Sequence, residues 1–299
     1  MDYFEAVASA PPGSSSFRMA DIFRLSRHTL VMVLGPRSRF VPLGELALAC
    51  SGKDQLEAAC DVVGAGRARQ LRLMAAAAKR GDQRAAQRRL VRALFWFMVY
   101  ELVPERWDDL ASIEPVHPRA IEFLKPDGIR ILELGAGSGR LTLAIAGRAS
   151  QILAIEPSPP LRRMLRRRLE LVNRSAAVVA ATTQALPVPD GWADLAVACS
   201  SCGPDAPLGG PRALREMRRC VRDGGMLVLI GPRRPSWFVA HGFKRQDFGR
   251  LEMNHRSGPT RVELERFFGR LRPPHEIVFR KVRHRGVATT PNGLLTTDI

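Results

Sequence analysis

The chain has 299 residues, of which 45% are hydrophobic and 25% are charged, a composition typical of a soluble globular protein. The formal net charge of +17 is compatible with a polyanionic partner such as nucleic acid, but the basic residues are spread along the chain without a polybasic block, so charge alone does not favour nucleic acid. Five cysteines are an odd, sparse set that gives neither a disulfide framework nor metal-ligand spacing.

The N-terminal third of the sequence predicts helices. Residues 1–17 combine acids, prolines and a serine run, which predicts a flexible leader and not a signal peptide. Residues 18–110 are rich in Ala, Leu and Arg and lack strand alternation, so we predict a helical region. Its longest apolar run, LFWFMVYELV, is too short for a bilayer and contains Glu101. We therefore expect no membrane span and a cytoplasmic protein.

The remainder of the chain, residues 111–299, is predicted to form an α/β domain. After Gly128, short apolar runs such as IRILEL, QILAIEP and GMLVLIG alternate with helical stretches. Such alternation predicts a Rossmann-like, mostly parallel sheet with helices on both faces. Beyond Gly231 we predict two further strands at the sheet edge, with a helix at 260–271 between them.

A glycine-rich turn joins the first predicted strand to a helix within ILELGAGSGRLTLAIA, residues 131–146. Gly135, Gly137 and Gly139 let the backbone turn sharply and approach a ligand closely. A dinucleotide-binding turn has a third glycine where this chain has Arg140, so the turn alone does not identify the nucleotide.

Two acids flank this turn. Glu156 ends the second predicted strand, where a carboxylate can accept hydrogen bonds from both hydroxyls of a ribose. Glu133 lies at the end of the first strand, where it would repel a pyrophosphate but suits a ligand with an ammonium and a sulfonium. The two glutamates therefore favour S-adenosyl-L-methionine over a dinucleotide.

Four ordered motifs resemble those of class I S-adenosylmethionine-dependent methyltransferases over residues 110–235: ILELGAGSGRLTLAIA, AIEPSPPLRRML, TTQALPVPDGWADLAVACS and LREMRRCVRDGGMLVLIG. The resemblance implies a seven-stranded sheet whose last strand is antiparallel, and S-adenosyl-L-methionine as the cofactor. It implies that the turn surrounds the methionine part, that Glu133 holds its amino end, that Glu156 holds the ribose and that Pro157 packs on adenine. The implied cofactor residues outside the two acids are Gly135, Ala136, Gly137, Pro157, Thr183 and Gln184. The family usually has an acid at the position of Thr182. Because this chain has a threonine there, only Thr183 and Gln184 are left to contact the adenine amine.

Cysteines and histidines offer candidate reactive groups. The segment CSSC, 199–202, follows the fourth predicted strand, close to the expected methyl donor. Because no second pair exists and SSCGPD matches cysteine-nucleophile enzymes poorly, we predict that Cys199 lines the cofactor pocket. His117 and His241 are candidate general bases, and His117 precedes the first motif in a stretch that usually folds over the cofactor. Correct positioning of the acceptor can be sufficient for methyl transfer, so neither histidine is assigned as a catalytic residue.

One predicted helix, LRRMLRRRLELV at 161–172, is strongly basic. Leu161, Leu165 and Leu169 form an apolar stripe on it, opposite five arginines. We predict that these arginines form a solvated face and not a binding site.

These observations predict an S-adenosylmethionine-dependent methyltransferase whose acceptor is a small or medium-sized organic molecule. The helical N-terminal region would cover the sheet and form the acceptor pocket. Two alternatives stay open: an RNA or protein methyltransferase that uses the basic helices, and a non-catalytic scaffold that binds the cofactor. Arg140 and Glu133 disfavour a NAD-linked oxidoreductase. The acceptor atom and the oligomeric state do not follow from the sequence.

Overall fold

The computed structural model describes residues 17–36, 38, 40–50, 52–78, 82–113, 116–204, 209–232, 234–247 and 276–282, without the side chains of 109–113, 276 and 277. Residues 1–16 of the predicted leader lie outside the described residues, as does the predicted helix at 260–271.

Helices make up the described N-terminal region, as predicted. They are α1 (Met19–Ile22), α2 (Arg27–Leu34), α3 (Leu43–Ala49), α4 (Lys53–Val63), α5 (Ala65–Ala77), α6 (Gln83–Leu102), α7 (Pro104–Ile113) and α8 (Pro118–Leu124). Helix α6 buries Leu90, Leu94 and Met98, which recur every four residues and therefore share one face. This face belongs to a hydrophobic core built from α1 to α6. The helical extension thus has a core of its own.

A seven-stranded sheet with further helices follows. Its elements are β1 (Arg130–Leu134), α9 (Arg140–Ile145), β2 (Gln151–Ile155), α10 (Pro159–Leu171), β3 (Ala177–Val179), β4 (Ala193–Cys199), α11 (Gly210–Cys220), β5 (Val221–Ile230), α12 (Pro235–Ala240), β6 (Lys244–Asp247) and β7 (Glu276–Lys281). The strand order is β3-β2-β1-β4-β5-β7-β6. Strands β1 to β5 pair in parallel, and β7 runs antiparallel to both β5 and β6. The predicted fold class, including the antiparallel last strand, is confirmed.

Both faces of the sheet are covered, which explains its nearly continuous apolar strands. In β1, Leu132 and Leu134 lie in the same buried cluster as residues of α11 and α12. Ile131, one residue out of phase, lies in the other cluster with residues of α8, α9 and α10. The two-residue period of a strand therefore places Glu133 on the same face as Ile131.

The order of strands reverses between β1 and β4, which lie side by side although β2 and β3 follow β1 in the chain. Leu134 pairs with Ala198, so both strands end at the same edge. In open α/β sheets this reversal leaves a crevice at the carboxyl ends of the strands, where ligands bind. The glycine turn after β1 lies at that crevice.

Two local features were not predicted. Strand β5 begins at Val221, four residues before the predicted run, with a register irregularity against β4. Helix α12 lies in the stretch after Gly231 that shows little regular pattern. Among the described residues, no helix is both long enough and apolar enough to cross a bilayer.

Candidate cofactor site

The glycine turn has the backbone that its sequence requires. Gly135, Gly137 and Gly139 have φ angles of 67°, 57° and 100°, in the left-handed region that side chains disfavour. A Cβ at Gly135 would lie 2.4 Å from the Cβ of Ser201. Ser201 follows β4, so the end of β4 packs directly on the turn after β1. Ala136, between the first two glycines, is buried.

Glu156 is completely buried beside this turn, at the end of β2. Its Oε2 accepts the Gly137 N–H at 2.8 Å, and its Oε1 accepts the Ser158 N–H at 2.7 Å. Oε1 also accepts a hydrogen bond from the hydroxyl of Tyr100. Burial raises the pKa of Glu156, although all three hydrogen bonds favour the ionised carboxylate and oppose that rise. A chain segment far away in sequence thus reaches the predicted ribose carboxylate.

Glu133 is also buried, on the other side of the turn. Its Oε2 accepts the hydroxyl of Thr142 in α9 at 2.6 Å. Burial raises the pKa of Glu133 to about 7, against the opposing effects of the Thr142 hydrogen bond and the nearby Arg140. A cationic ligand next to such a carboxyl would stabilise its ionised form, because burial has removed the water that would otherwise do so.

Helices α6 and α7 cover the turn with aromatic side chains. The ring of Tyr100 meets that of Trp107 edge to face, with centroids 4.9 Å apart. The Trp107 Nε1 lies 3.7 Å from where a Cβ on Gly137 would be. Helix α7 is tied to α10 by Asp108, whose carboxylate accepts from two nitrogens of Arg168 at 2.6 and 2.5 Å.

The sequence-based site lacks Tyr100 and Trp107. The signal that could have found them is the aromatic density of the apolar run at 94–103, which ends four residues before Trp107. The apolar run predicts that this helix is buried but does not indicate which element it packs against.

The predicted adenine-side residues lie along the loops after β2 and β3. Pro157 is half-buried and directly follows Glu156. Thr183 packs against the start of α11, since a Cβ at Gly209 would lie 2.5 Å from its Oγ1. The backbone oxygen of Gln184 accepts from Arg212 of α11 at 3.0 Å. Their predicted contacts with adenine remain predictions.

The helix α10 is less solvated than predicted. Arg162 donates to the backbone oxygens of Glu156 and Pro157, both at 2.7 Å, and Arg166 donates to that of Val178 at 2.6 Å. A third arginine of this helix forms the ion pair with α7 described above. The prediction of a solvated arginine face is wrong for Arg162 and Arg168, which are half-buried against carbonyl and carboxylate acceptors, whereas Arg163, Arg166 and Arg167 are exposed as predicted.

Cys199 ends β4 and is half-buried, and its Sγ lies 3.1 Å from a guanidinium nitrogen of Arg140. This contact places both residues at the crevice between β1 and β4. Cys202 is buried, which raises the pKa of its thiol to about 12. All five cysteines are described, and none forms a disulfide. The described residues contain no His, Cys, Asp and Glu cluster that could hold a metal ion.

The two histidines occupy local structural positions. His117 is buried at the start of α8, where its Nδ1 accepts the Arg119 N–H at 3.1 Å. The Nδ1 of His241 lies 2.7 Å from the backbone oxygen of Trp237 in the preceding helix. A catalytic role for His117 therefore stays a prediction.

Comparisons with known proteins agree with this geometry. A family model described as "Methyltransferase domain" matches residues 131–225. An uncharacterized methyltransferase of Mycobacterium tuberculosis (strain ATCC 25618 / H37Rv) is 31% identical over 114 residues, which are 38% of this chain and 44% of that protein. The chloroplastic 2-methyl-6-phytyl-1,4-hydroquinone methyltransferase of Arabidopsis thaliana is 27% identical over 160 residues, 50% of this chain and 45% of that protein.

The chain spans less than half the length of these curated relatives. A solved structure, that of the tRNA (m1A58) methyltransferase from Aquifex aeolicus, matches 57% of this chain and 71% of that chain with 15% identity and a TM-score of 0.42. The family match spans the strands that carry the glycine turn and both buried glutamates. Residues 131–225 thus match a methyltransferase domain, in agreement with the resemblance of this region to class I S-adenosylmethionine-dependent methyltransferases.

Proposed function

We propose that this protein transfers a methyl group from S-adenosyl-L-methionine to a small or medium-sized organic acceptor. The observation that carries the proposal is the pair of buried carboxylates, Glu133 and Glu156, on either side of the glycine turn. They suit a ligand with a ribose diol at one end and cationic groups at the other. They do not suit a pyrophosphate, which they would repel.

The chain's own residues fit each part of this cofactor. Glu156 would accept from the ribose hydroxyls, and Glu133 would attract the ammonium group. The turn from Gly135 to Gly137 would let the backbone approach the methionine part. Ser158 adds a buried hydroxyl that lacks a hydrogen-bond partner among the described residues, next to the loop that holds the ribose carboxylate. An unsatisfied buried hydroxyl is costly, so it supports a polar ligand here.

Pro157, Thr183, Gln184 and Cys199 would form the adenine side and the floor of this pocket. Their loops follow β2, β3 and β4, whose carboxyl ends share one edge of the sheet. The cofactor-binding roles of these residues are part of the proposal.

When bound, the cofactor supplies a methyl group that its sulfonium already activates. What remains for the chain is to orient the acceptor and exclude water. In this structure, Tyr100 and Trp107 of the N-terminal helices lie over the turn and limit the access of water to it before a ligand binds. No general base is needed for this step. His117 would act as one only if the acceptor must lose a proton.

Aromatic rings at the site support an organic acceptor. Phe95, Trp96, Trp107 and Tyr100 form a chain of edge-to-face contacts that leads from the helical core to the turn. Phe95 and Trp96 are buried, whereas Tyr100 and Trp107 are only partly buried and offer aromatic surface to a hydrocarbon or aromatic acceptor. The name of the Arabidopsis relative, a hydroquinone methyltransferase, points in the same direction.

RNA and protein acceptors are less well supported. Three arginines of α10 are engaged by groups within the chain and not presented together to a polyanion. If RNA is nevertheless the acceptor, its affinity should fall steeply as salt is raised. A fluorescence titration with RNA at low and high salt distinguishes the two cases.

Calorimetry with S-adenosylhomocysteine, the demethylated product, tests cofactor binding. Glu156→Gln should bind it about 10- to 100-fold more weakly than the wild type, since hydrogen bonds to a charged group contribute about 1.5–3 kcal/mol. Glu45→Gln is the matched control because Glu45 pairs with Arg89 on the surface, and its affinity should equal that of the wild type. Wild-type protein that binds neither the cofactor nor its product would refute the proposal.

Methyl transfer itself is tested with a labelled methyl donor. The acceptor panel should contain hydroquinones, phenols, amines, total RNA and a protein extract. Label in an organic extract supports the proposed acceptor class. Label in RNA or protein alone would replace it, and cofactor binding without any transfer would support a scaffold.

A further inference from the structure

The carboxylate that faces the ribose already has three hydrogen-bond donors. Glu156 accepts the N–H groups of Gly137 and Ser158 and the hydroxyl of Tyr100. A carboxylate has about four acceptor positions. Two ribose hydroxyls therefore cannot both be accommodated while all three donors stay in place.

Of the three donors, only the Tyr100 hydroxyl belongs to a side chain that can leave. Gly137 and Ser158 donate through the backbone of the loops that form the site. Tyr100 lies 56 residues before its acceptor in the chain and reaches it from the last turn of α6. Its hydroxyl has the same donor chemistry as a ribose hydroxyl.

The ring of Trp107 lies over the glycine turn, next to Tyr100. Trp107 touches Tyr100 edge to face and lies against Gly137 in the turn expected to surround the methionine part. Both rings come from the α6–α7 junction, where only Val103 separates the two helices. Val103 has a non-helical backbone, with φ −134° and ψ 64°, and its side chain is exposed. Rotation at this residue would move α7, and Trp107 with it, relative to α6, and would break the ion pair between Asp108 and Arg168.

We propose that Tyr100 and Trp107 form a displaceable cap, in which the Tyr100 hydroxyl occupies on Glu156 the position of a ribose hydroxyl and must leave when the cofactor binds. This inference rests on the proposed function. The cap makes cofactor affinity the outcome of a competition between two donors for one carboxylate. Apparent affinity then falls with the fraction of molecules in the open state.

The deciding experiment is calorimetric titration of S-adenosylhomocysteine into Tyr100→Phe. This variant keeps the ring and removes the competing hydroxyl, so it should bind about three- to tenfold more tightly than the wild type. Its free energy of unfolding should decrease at the same time, because a buried hydrogen bond is lost. A purely structural tyrosine would give lower stability with unchanged or weaker binding.

Thr29→Val is the matched control. Thr29 donates through its hydroxyl to Glu101, the neighbour of Tyr100 on α6, at 2.5 Å. The control therefore also loses a hydroxyl–carboxylate hydrogen bond of the same helix, but not at the site. Its affinity for S-adenosylhomocysteine should stay within about twofold of the wild-type value, since no donor to Glu156 is removed.

Tryptophan fluorescence gives a second readout of the cap. Titration of S-adenosylhomocysteine into the wild type should change the emission of Trp107 as the ring leaves Gly137, and Trp107→Phe should lose that change. Wild-type binding with unchanged or weaker binding by Tyr100→Phe would overturn the cap alone. If the wild type, Thr29→Val and Tyr100→Phe all fail to bind, the proposed function falls and the cap with it.

Discussion

Replacement of Glu133 by glutamine should alter how the stability of the protein depends on pH. Burial raises the pKa of this carboxyl from 4.5 to about 7. Between these values the folded state holds a proton that the unfolded state has lost. The stability contributed by the protonated carboxyl is therefore fully present below pH 4.5 and is lost as the pH rises through 7.

The difference between the two pKa values corresponds to about 3 kcal/mol of unfolding free energy, at about 1.4 kcal/mol per pH unit. Glutamine keeps an oxygen for the Thr142 hydroxyl and cannot ionise. The free energy of unfolding of the wild type minus that of Glu133→Gln should thus fall by most of this amount between pH 5 and pH 8. Urea unfolding followed by circular dichroism at several pH values measures both curves.

Glu216→Gln is the control for this experiment. The ion pair with Arg219 lowers the pKa of Glu216, so its carboxylate stays ionised throughout the same pH range. The corresponding stability difference should therefore be flat between pH 5 and pH 8. Parallel stability curves for the wild type and Glu133→Gln would show that burial does not hold this proton, and would refute the reasoning.

Two further predictions concern the crevice between β1 and β4. Gly135→Ala should lower the free energy of unfolding by about 1–3 kcal/mol in urea, because the residue has φ 67° and its new Cβ would meet Ser201; an unchanged midpoint would show that the turn relaxes freely. Cys202 should resist alkylation by iodoacetamide at pH 8 in the native protein, because burial raises the pKa of its thiol to about 12. Mass spectrometry measures this labelling, and rapid modification of Cys202 would contradict the burial.

The sheet could be predicted from the sequence because its signals are local. Strand β1 is apolar on both faces, and helices cover both faces of a parallel sheet. The turn after it carries three glycines at positions that all have positive φ. Each of these features depends on residues a few positions apart. The number of strands and the antiparallel last strand came from the resemblance and not from the periodicity, and the strand order was not predicted.

The contact between Tyr100 and Glu156 could not be predicted in this way. The apolar stripe of α6 identifies which face is buried but contains no information about the element it meets. The contacts of the arginines of α10 could not be predicted for the same reason. The sequence of an arginine run is the same whether solvent or a nearby carbonyl oxygen accepts its hydrogen bonds. The position of His117 at the start of a helix could have been predicted from the sequence. Pro118 follows it, and a proline in the first helical turn marks a helix start.

Arg162 gives helix α10 a role in shaping the loop after β2. From the outer side of the loop, one guanidinium nitrogen reaches the carbonyl oxygens of both Glu156 and Pro157. The direction of a carbonyl fixes the orientation of its peptide unit, and so the direction in which the next side chain leaves the backbone. Exchange of this arginine for lysine would preserve the charge but replace a rigid, planar donor group by an ammonium on a flexible stem, so the orientation of this loop depends on the guanidinium group and not on charge alone.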